Sequence, residues 1–450
     1  MKLSAAQKRT LFVVWITYAA FYLCRISIGP ARDSIQRSVA IDVLEMGLVL
    51  GALKIGYAIG QLFMGQLTER FGARIVLLTG MLGSAAICLL FASAREVADF
   101  LGPALPPFAQ GVERVVRTIA PHAKLGSLAA LLLFLWFLNG MFQAGGWPPT
   151  VKVMATWFTP TERGRMMGII GTSYQLGSAV TIVFAGALIS WFHDDWRAAF
   201  VFPTIIFLIV AIFTSLRLKE RPLAGEAPSV EKLGIVPTHK ERTPLIETLL
   251  LTLTNARVWV LALGLFGVDI VRYGFLDWAP GQLKAAQASS TLLAALKVAV
   301  FPLAGGLGAL VSGWATDRWF QSRRAPVIAI CLAMSGVLTL AYDGVVKLGA
   351  GPTVACLGGV GFFLYAAHIL LVGTAAQDFA KQKKAAAAAG FIDFMGHFGA
   401  FGGDVVTGWL LKNRDFHAAI RFWSISAVIA AALVATLWRA RPHDAKHASE

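Results

Sequence analysis

The sequence predicts an all-α polytopic membrane protein with twelve transmembrane helices in two pseudo-symmetric six-helix bundles. Three observations carry this. Of the 450 residues, 57% are hydrophobic and only 14% charged, whereas a soluble domain runs at roughly 45–50% and about 25%; the mean hydropathy is +0.66. Apolar runs of about 20 residues, the length that crosses a bilayer, recur along the whole chain. Two sequence features also repeat at nearly the same offset, as a duplicated half requires. Soluble dehydrogenases, nucleases and secreted disulfide scaffolds are excluded by the composition alone.

The elements follow in order. The start, MKLSAAQKRT, is basic, but the apolar run after it has no small-residue cleavage site, so it reads as a first span rather than a signal peptide. Spans are expected around 10–29, 46–67, 75–93, 126–146, 164–190, 198–216, 257–279, 291–314, 325–342, 353–373, 386–411 and 418–437. Between the sixth and seventh lies LKERPLAGEAPSVEKLGIVPTHKERTPLIE, charged, proline-containing and without an apolar face. It reads as a linker, dividing the chain into a bundle at 1–217, a cytoplasmic linker at 218–250 and a second bundle at 251–450. The segment from Arg95 to Lys124 is longer than a hairpin needs and reads as a passive insertion in preference to a small external cap. Cys24, Cys88, Cys331 and Cys356 fall inside apolar runs, with no disulfide or metal spacing among them.

Orientation follows from the basic residues. With the N-terminus inside, loops on that side hold 23 of the 40 Lys and Arg, against 12 outside, so both termini are expected in the cytoplasm. The net charge of +15 then reflects cytoplasmic loops, and no nucleic-acid partner is expected. The count suits a bacterial inner membrane.

The repeat has two parts. Gly65-Gln66-Leu67-Thr68-Glu69-Arg70 after the second span matches Gly313-Trp314-Ala315-Thr316-Asp317-Arg318 after the eighth, with the arginines 248 residues apart. The first and seventh spans each carry one intramembrane arginine, Arg25 and Arg272, which are 247 apart. Parallel six-helix repeats are the architecture of the major facilitator superfamily, and GQLTERFGAR resembles its loop signature between the second and third helices. The resemblance implies gating and structural roles for Glu69, Arg70, Arg74, Asp317 and Arg318.

A narrower resemblance is to the organophosphate:phosphate antiporters. FYLCRISIGPA (21–31) is similar to their first-helix segment, with Arg25 at a substrate arginine. NGMFQAGGWPPTVKVMATWFTPTERG (139–164) is similar to their fourth helix and the loop after it. VRYGFLDWAP (271–280) is similar to their seventh-helix motif, with Arg272 at the second substrate arginine. The resemblance covers the chain apart from 95–125. It implies exchange of a phosphorylated small molecule, such as glycerol phosphate or a hexose phosphate, against inorganic phosphate.

The two arginines support this by their own chemistry. A charge at a helix centre in the bilayer costs at least ~2.5–3.5 kcal/mol and normally faces a partner or a water path. Guanidinium is always charged and forks onto phosphate oxygens. Two such groups opposed across a midplane suit a divalent phosphate, and rocking the halves exposes the site to each side in turn. An anion that bridges the arginines lowers the cost of closing, which makes exchange obligatory if the empty carrier seldom crosses. The competing reading pairs each arginine with a carboxylate: the span of Arg25 contains none, but Asp269 lies three residues before Arg272 on the same helical face.

Departures from the family pattern complete the candidate site. Ile26 stands where the family often has lysine, and Gln61 stands at its second-helix lysine. Lys54, two turns away, either compensates or snorkels to the membrane interface. Tyr174 replaces a substrate-site histidine and His397 an aromatic, while Tyr365 matches a family tyrosine and His368 follows one turn on. With Tyr22, these form the expected substrate contacts: Arg25, Arg272, Tyr22, Lys54, Gln61, Tyr174, Asp269, Tyr365 and His397. Asp269, Asp393 and Asp404 are candidates for proton coupling, or for meeting a cation on the substrate. Asp277, near the outer end, reads as structural. These changes trade positive charge for acid and point to a zwitterionic or larger organophosphate, its amine near Asp269.

Two other readings stay open: a membrane receptor that reports a sugar phosphate to a kinase partner, and a proton-coupled carrier of another organic anion. No nucleotide-binding loop or metal-ligand spacing appears, so neither an enzyme nor a cofactor is expected. The expected partners are the lipid bilayer, the phosphorylated substrate and inorganic phosphate, with the chain acting as a monomer.

Overall fold

A computed structural model describes residues 3–121, 123–223, 225–227, 253–321, 323–375 and 385–440. Every regular element among them is helical. Eleven helices are long and apolar enough to cross a membrane: Ala5–Val39, Val43–Phe71, Ala73–Ala92, Ser127–Trp157, Arg165–Trp191, Ala198–Arg217, Ala256–Gln287, Thr291–Thr316, Arg324–Leu348, Ala350–Gly373 and Phe416–Ala435. Ala385–Asn413 takes the eleventh place in the chain, making twelve spans; Asp393, His397 and Asp404 hold down its hydropathy. Most of the expected linker lies outside the described residues.

Side-chain caps start several spans. Ser4 with Gln7 and Asp42 with Glu45 form capping boxes, each satisfying two of the backbone N–H groups left free at a helix start. At the sharp turn between the second and third spans, Gly72 adopts φ 93°, a conformation that a side chain disfavours.

Three spans are interrupted and a fourth ends in a π-turn, and the four hold equivalent places in successive groups of three. The first breaks at the 3-10 turn Tyr22–Cys24 and restarts at Ile28–Val39. The fourth breaks between Ser127–Gln143 and Trp147–Trp157, and the seventh at the π-turn Gly274–Trp278. The tenth ends in the π-turn Leu370–Ala375. Pro30, Pro148, Pro149 and Pro280 lie in the first turn of the restarted helices, where a missing N–H costs least. The first, fourth and seventh spans therefore continue past the ends expected for them. Interrupted helices at membrane depth need other partners for the freed backbone groups, and supplying those partners places polar side chains at the centre.

The two-fold repeat extends to packing. Spans two and four cross where Gly56 meets the Phe137 carbonyl and Gly140 the Leu53 carbonyl; spans eight and ten do the same through Gly308 with Phe362 and Gly361 with Phe301. An added Cβ would collide with each carbonyl.

The bundles meet along spans two and eleven and along spans five and eight. On the face opposite the termini they are tied by polar contacts. Lys54 Nζ lies 2.5 Å from Asp277 Oδ2 and 2.8 Å from Asp404 Oδ2. Lys412 pairs with Asp42 at 2.6 Å, and the Leu292 N–H donates to Ser190 Oγ at 3.2 Å.

The segment expected to be a passive insertion is a packed cap. It forms Ala94–Leu101 and Leu105–Arg117, burying Leu105, Ala109 and Val116 and setting Phe108 5.2 Å from Phe134. Arg95 donates to the Ser38 carbonyl and Arg197 pairs with Glu96 at 3.5 Å. Amphipathic residues at helical spacing, rather than the prolines between them, decide how this segment packs.

Candidate substrate site

Arg25 lies in the break of the first span and is 4% exposed. The break frees the carbonyls of Phe21 and Cys24, and the fourth span answers both. Gln143 Nε2 donates to Phe21 O at 3.1 Å, and Asn139 Nδ2 donates to Cys24 O at 2.8 Å. Ser84 links the two amides, donating to Asn139 Oδ1 at 2.6 Å and accepting from Gln143 at 2.8 Å. Thus fixed, Gln143 Oε1 accepts from Arg25 Nε at 3.1 Å. The guanidinium is sandwiched by aromatic faces, 4.8 Å from the Tyr22 centroid and 4.5 Å from that of Tyr57, and Nη1 donates to Tyr22 OH at 3.5 Å. Its Nη2 is buried without a partner.

Arg272 mirrors it from the seventh span, also 4% exposed. Nε donates to Tyr365 OH at 3.3 Å; Nη1 donates to Asp269 Oδ1 at 3.3 Å and lies 3.2 Å from His368 Nε2. Its environment is therefore the one the competing reading foresaw, an ion pair within one helix turn, whereas Arg25 meets an amide and aromatic rings. Tyr174 spans the gap between the halves: its ring lies 6.2 Å from Tyr22, 6.2 Å from Tyr365 and 5.8 Å from the Arg272 guanidinium.

Around this cluster, five buried polar atoms lack a hydrogen-bond partner: Arg25 Nη2, Tyr174 OH, Asp269 Oδ2, Tyr273 OH and His368 Nδ1. Buried polar groups are normally satisfied. A concentration of unsatisfied ones between two guanidinium groups is the mark of a site built for a polar ligand.

Other expected contacts border this cluster with partners of their own. Lys54 does not snorkel to the membrane interface. It is 2% exposed and held by Asp277 and Asp404, with its Nζ 4.7 Å from the Tyr273 centroid. Asp404 also accepts from Trp278 Nε1 at 3.0 Å, so its carboxylate belongs to the inter-bundle contact. Gln61 is half-buried on the second span, its Nε2 unpaired. His397 stacks on Tyr57 at 4.3 Å, and its Nδ1 lies 3.0 Å from the Asp393 carbonyl.

Glu69 pairs with Lys152 at 3.1 Å. The Arg74 N–H donates to Glu220 at 2.8 Å, and its guanidinium donates to the Ser215 carbonyl. Both tie the loop to helix ends of its own bundle. Arg70 and Arg318 are exposed, and the side chain of Asp317 lies outside the described residues.

Sequence reasoning did not single out Gln143, Asn139, Tyr57 or Tyr273. Polar residues in the apolar run of the fourth span were the available signal for the two amides; nothing in the sequence marks Tyr57.

A superfamily profile described as Major Facilitator Superfamily matches residues 14–404. Relatives include the glycerol-3-phosphate transporter of Bacillus subtilis (strain 168), 30% identical over 97% of this chain and 94% of that protein. A probable hexose phosphate transport protein of Chlamydia muridarum (strain MoPn / Nigg) is 26% identical, covering 96% and 89%. The membrane sensor protein UhpC of Escherichia coli (strain K12) is 26% identical, covering 90% and 85%. In fold the chain is similar to a bacterial homolog of the human lysosomal transporter Spinster, with a TM-score of 0.72 at 15% identity over 97% of this chain and 98% of that one. The chain belongs to the major facilitator superfamily of membrane transporters and, within it, to the organophosphate:phosphate antiporter family. It is thus a multi-pass membrane protein of a transporter family, not an enzyme.

Proposed function

We propose that this protein exchanges a small organophosphate, of the glycerol phosphate or sugar phosphate class, for inorganic phosphate by alternating access. One observation carries this reading: Arg25 and Arg272, at equivalent breaks of the two bundles, flank a single aromatic cluster in which Arg25 Nη2 and Tyr174 OH have no protein partner. A phosphate bound there accepts from both guanidinium groups, and Tyr174 adds a neutral donor. Asp269, already paired with Arg272, holds that guanidinium in position.

The contacts of Lys54 with Asp277 and Asp404, and of Lys412 with Asp42, close the face opposite the termini. We read the termini as cytoplasmic, so the face these contacts close is the outer one. Rocking must break those ion pairs, and a bridging anion lowers the cost by drawing the arginines together.

The test is phosphate self-exchange in proteoliposomes, comparing wild type with Arg25→Lys and Arg272→Lys. Each variant keeps the charge but loses the fork, so exchange should fall at least about tenfold, the scale of one charged hydrogen bond. Unchanged exchange in both variants refutes the assignment. A second reading, a sensor, is favoured by the UhpC relative; binding of a sugar phosphate without flux in a folded wild type would select it.

A further inference from the structure

Asp393 reaches the same cluster from the eleventh span, one turn nearer the termini than His397. Its side chain is 20% exposed, and His397 Nδ1 stands 3.8 Å from its Oδ1. Among the described residues no lysine or arginine pairs with it. His397 in turn stacks on Tyr57, whose other neighbour is the Arg25 guanidinium at 4.5 Å. A continuous run of contacts therefore joins Arg25 to a carboxylate that lacks a cation.

The charge balance is informative. Arg272 is matched by Asp269, leaving Arg25 to meet an incoming phosphate and Asp393 to be met by something positive. An unpaired charge in a largely buried site is costly. These two arginines and two aspartates sum to zero, so an anion bound alone leaves the site negative, whereas a ligand with its own cation offsets it. The amine expected beside Asp269 from the sequence would share that carboxylate with Arg272, which already donates to Asp269 Oδ1 at 3.3 Å, whereas Asp393 offers a carboxylate that no lysine or arginine among the described residues engages.

We propose that the organic substrate is a zwitterionic phosphate ester, an aminoalkyl phosphate, whose ammonium group is received by Asp393. This rests on the phosphate-binding reading of Arg25 and Arg272. It adds a specificity-determining residue: the arginines hold what all such substrates share, and Asp393 selects among them.

The experiment measures competition against labelled phosphate exchange in proteoliposomes of the full chain, using glycerol 3-phosphate, 2-aminoethyl phosphate and ethanolamine. In wild type, 2-aminoethyl phosphate should inhibit at about tenfold lower concentration than glycerol 3-phosphate, as one charge-assisted contact implies. Asp393→Asn should bring that ratio to about one, and Asp393→Glu should largely restore it. A ratio taken within one preparation does not move merely because less protein folds. A wild type that prefers glycerol 3-phosphate, or a ratio indifferent to Asp393→Asn, overturns the proposal. So does a gain of phosphate exchange at acid pH that Asp393→Asn removes without any preference for the amine, which would make Asp393 a proton site.

If labelled phosphate is not exchanged at all, the antiport reading fails, and thermal stabilisation by 2-aminoethyl phosphate in detergent then decides this one. Stabilisation lost in Asp393→Asn supports it, and none in wild type refutes it.

Discussion

Replacing Lys54 with methionine tests the contact that joins the bundles. One ammonium serves two carboxylates at 2.5 and 2.8 Å, and the three side chains are 3%, 1% and 1% exposed. Lys54→Met leaves Asp277 and Asp404 facing each other in a dry interface. Removing one partner of a buried ion pair costs about 3–5 kcal/mol, and here two acids are stranded by a single change. Asp404→Asn removes the surplus acid instead. Lys54 keeps Asp277, Trp278 can still donate to the amide oxygen, and the effect should stay within ~1 kcal/mol. The triple variant Lys54→Met, Asp277→Asn, Asp404→Asn carries no buried charge, and such replacements are often neutral or stabilising by ~1–4 kcal/mol. Thermal unfolding in detergent, followed by tryptophan fluorescence, should therefore rank Lys54→Met well below wild type, with Asp404→Asn and the triple variant close to wild type. If Lys54→Met melts with wild type, or the triple variant melts no higher than Lys54→Met, the ion-triad argument is wrong.

Three further outcomes are expected. Gln143→Leu leaves the Phe21 carbonyl and Arg25 Nε unpaired in a buried site, so it should cost about 1–3 kcal/mol in unfolding and weaken phosphate exchange; Leu133→Ile, away from this network, should do neither. Gly140→Ala and Gly361→Ala each drive a methyl group into a carbonyl of the crossing helix and should destabilise by about 1–3 kcal/mol, whereas Gly65→Ala, with nothing within 4 Å, should be neutral or stabilising in the same melts. At Asp42, partial burial opposes ionisation, but hydrogen bonds from Lys412 and the Glu45 backbone outweigh it and hold the carboxyl below its usual range. A lowered folded pKa contributes stability that is complete above the unfolded value of about 3.9 and is lost as pH falls through the folded one. Lys412→Met should remove part of the acid-side loss of melting temperature, by a small amount because both side chains are over 40% exposed.

Most of the span count was legible because a bilayer imposes a length and an apolar composition that no soluble fold requires. Arg25 and Arg272 stood out for the same reason, as charges that cannot sit in lipid without a purpose, and their spacing exposed the duplication. The breaks were less legible. Gly29-Pro30, Gly146-Trp147-Pro148-Pro149 and Ala279-Pro280 carry the signal, yet apolar periodicity alone ended each span at its break and lost the helix beyond. The eleventh span was found from its apolar residues although Asp393, His397 and Asp404 make it the least apolar of the twelve.

Partnership is where local reading ran out. Lys54 and Asp404 are 350 residues apart in the chain, and each looked like a solitary intramembrane charge until the second and eleventh spans were seen to cross. Tyr57 carries no distinguishing feature of its own; it matters because Arg25 and His397 come to opposite faces of its ring. Asp269 is the counter-case, an i,i+3 neighbour of Arg272 whose contact was foreseeable from helix geometry. By itself the sequence determined that this is a twelve-span transporter with an intramembrane arginine at the matching place in each half, since solvent and helical period act on neighbouring residues. Only the tertiary structure decided which charges are paired across the bundles and which polar atoms are left for a ligand, because those distances depend on how helices far apart in the chain pack together.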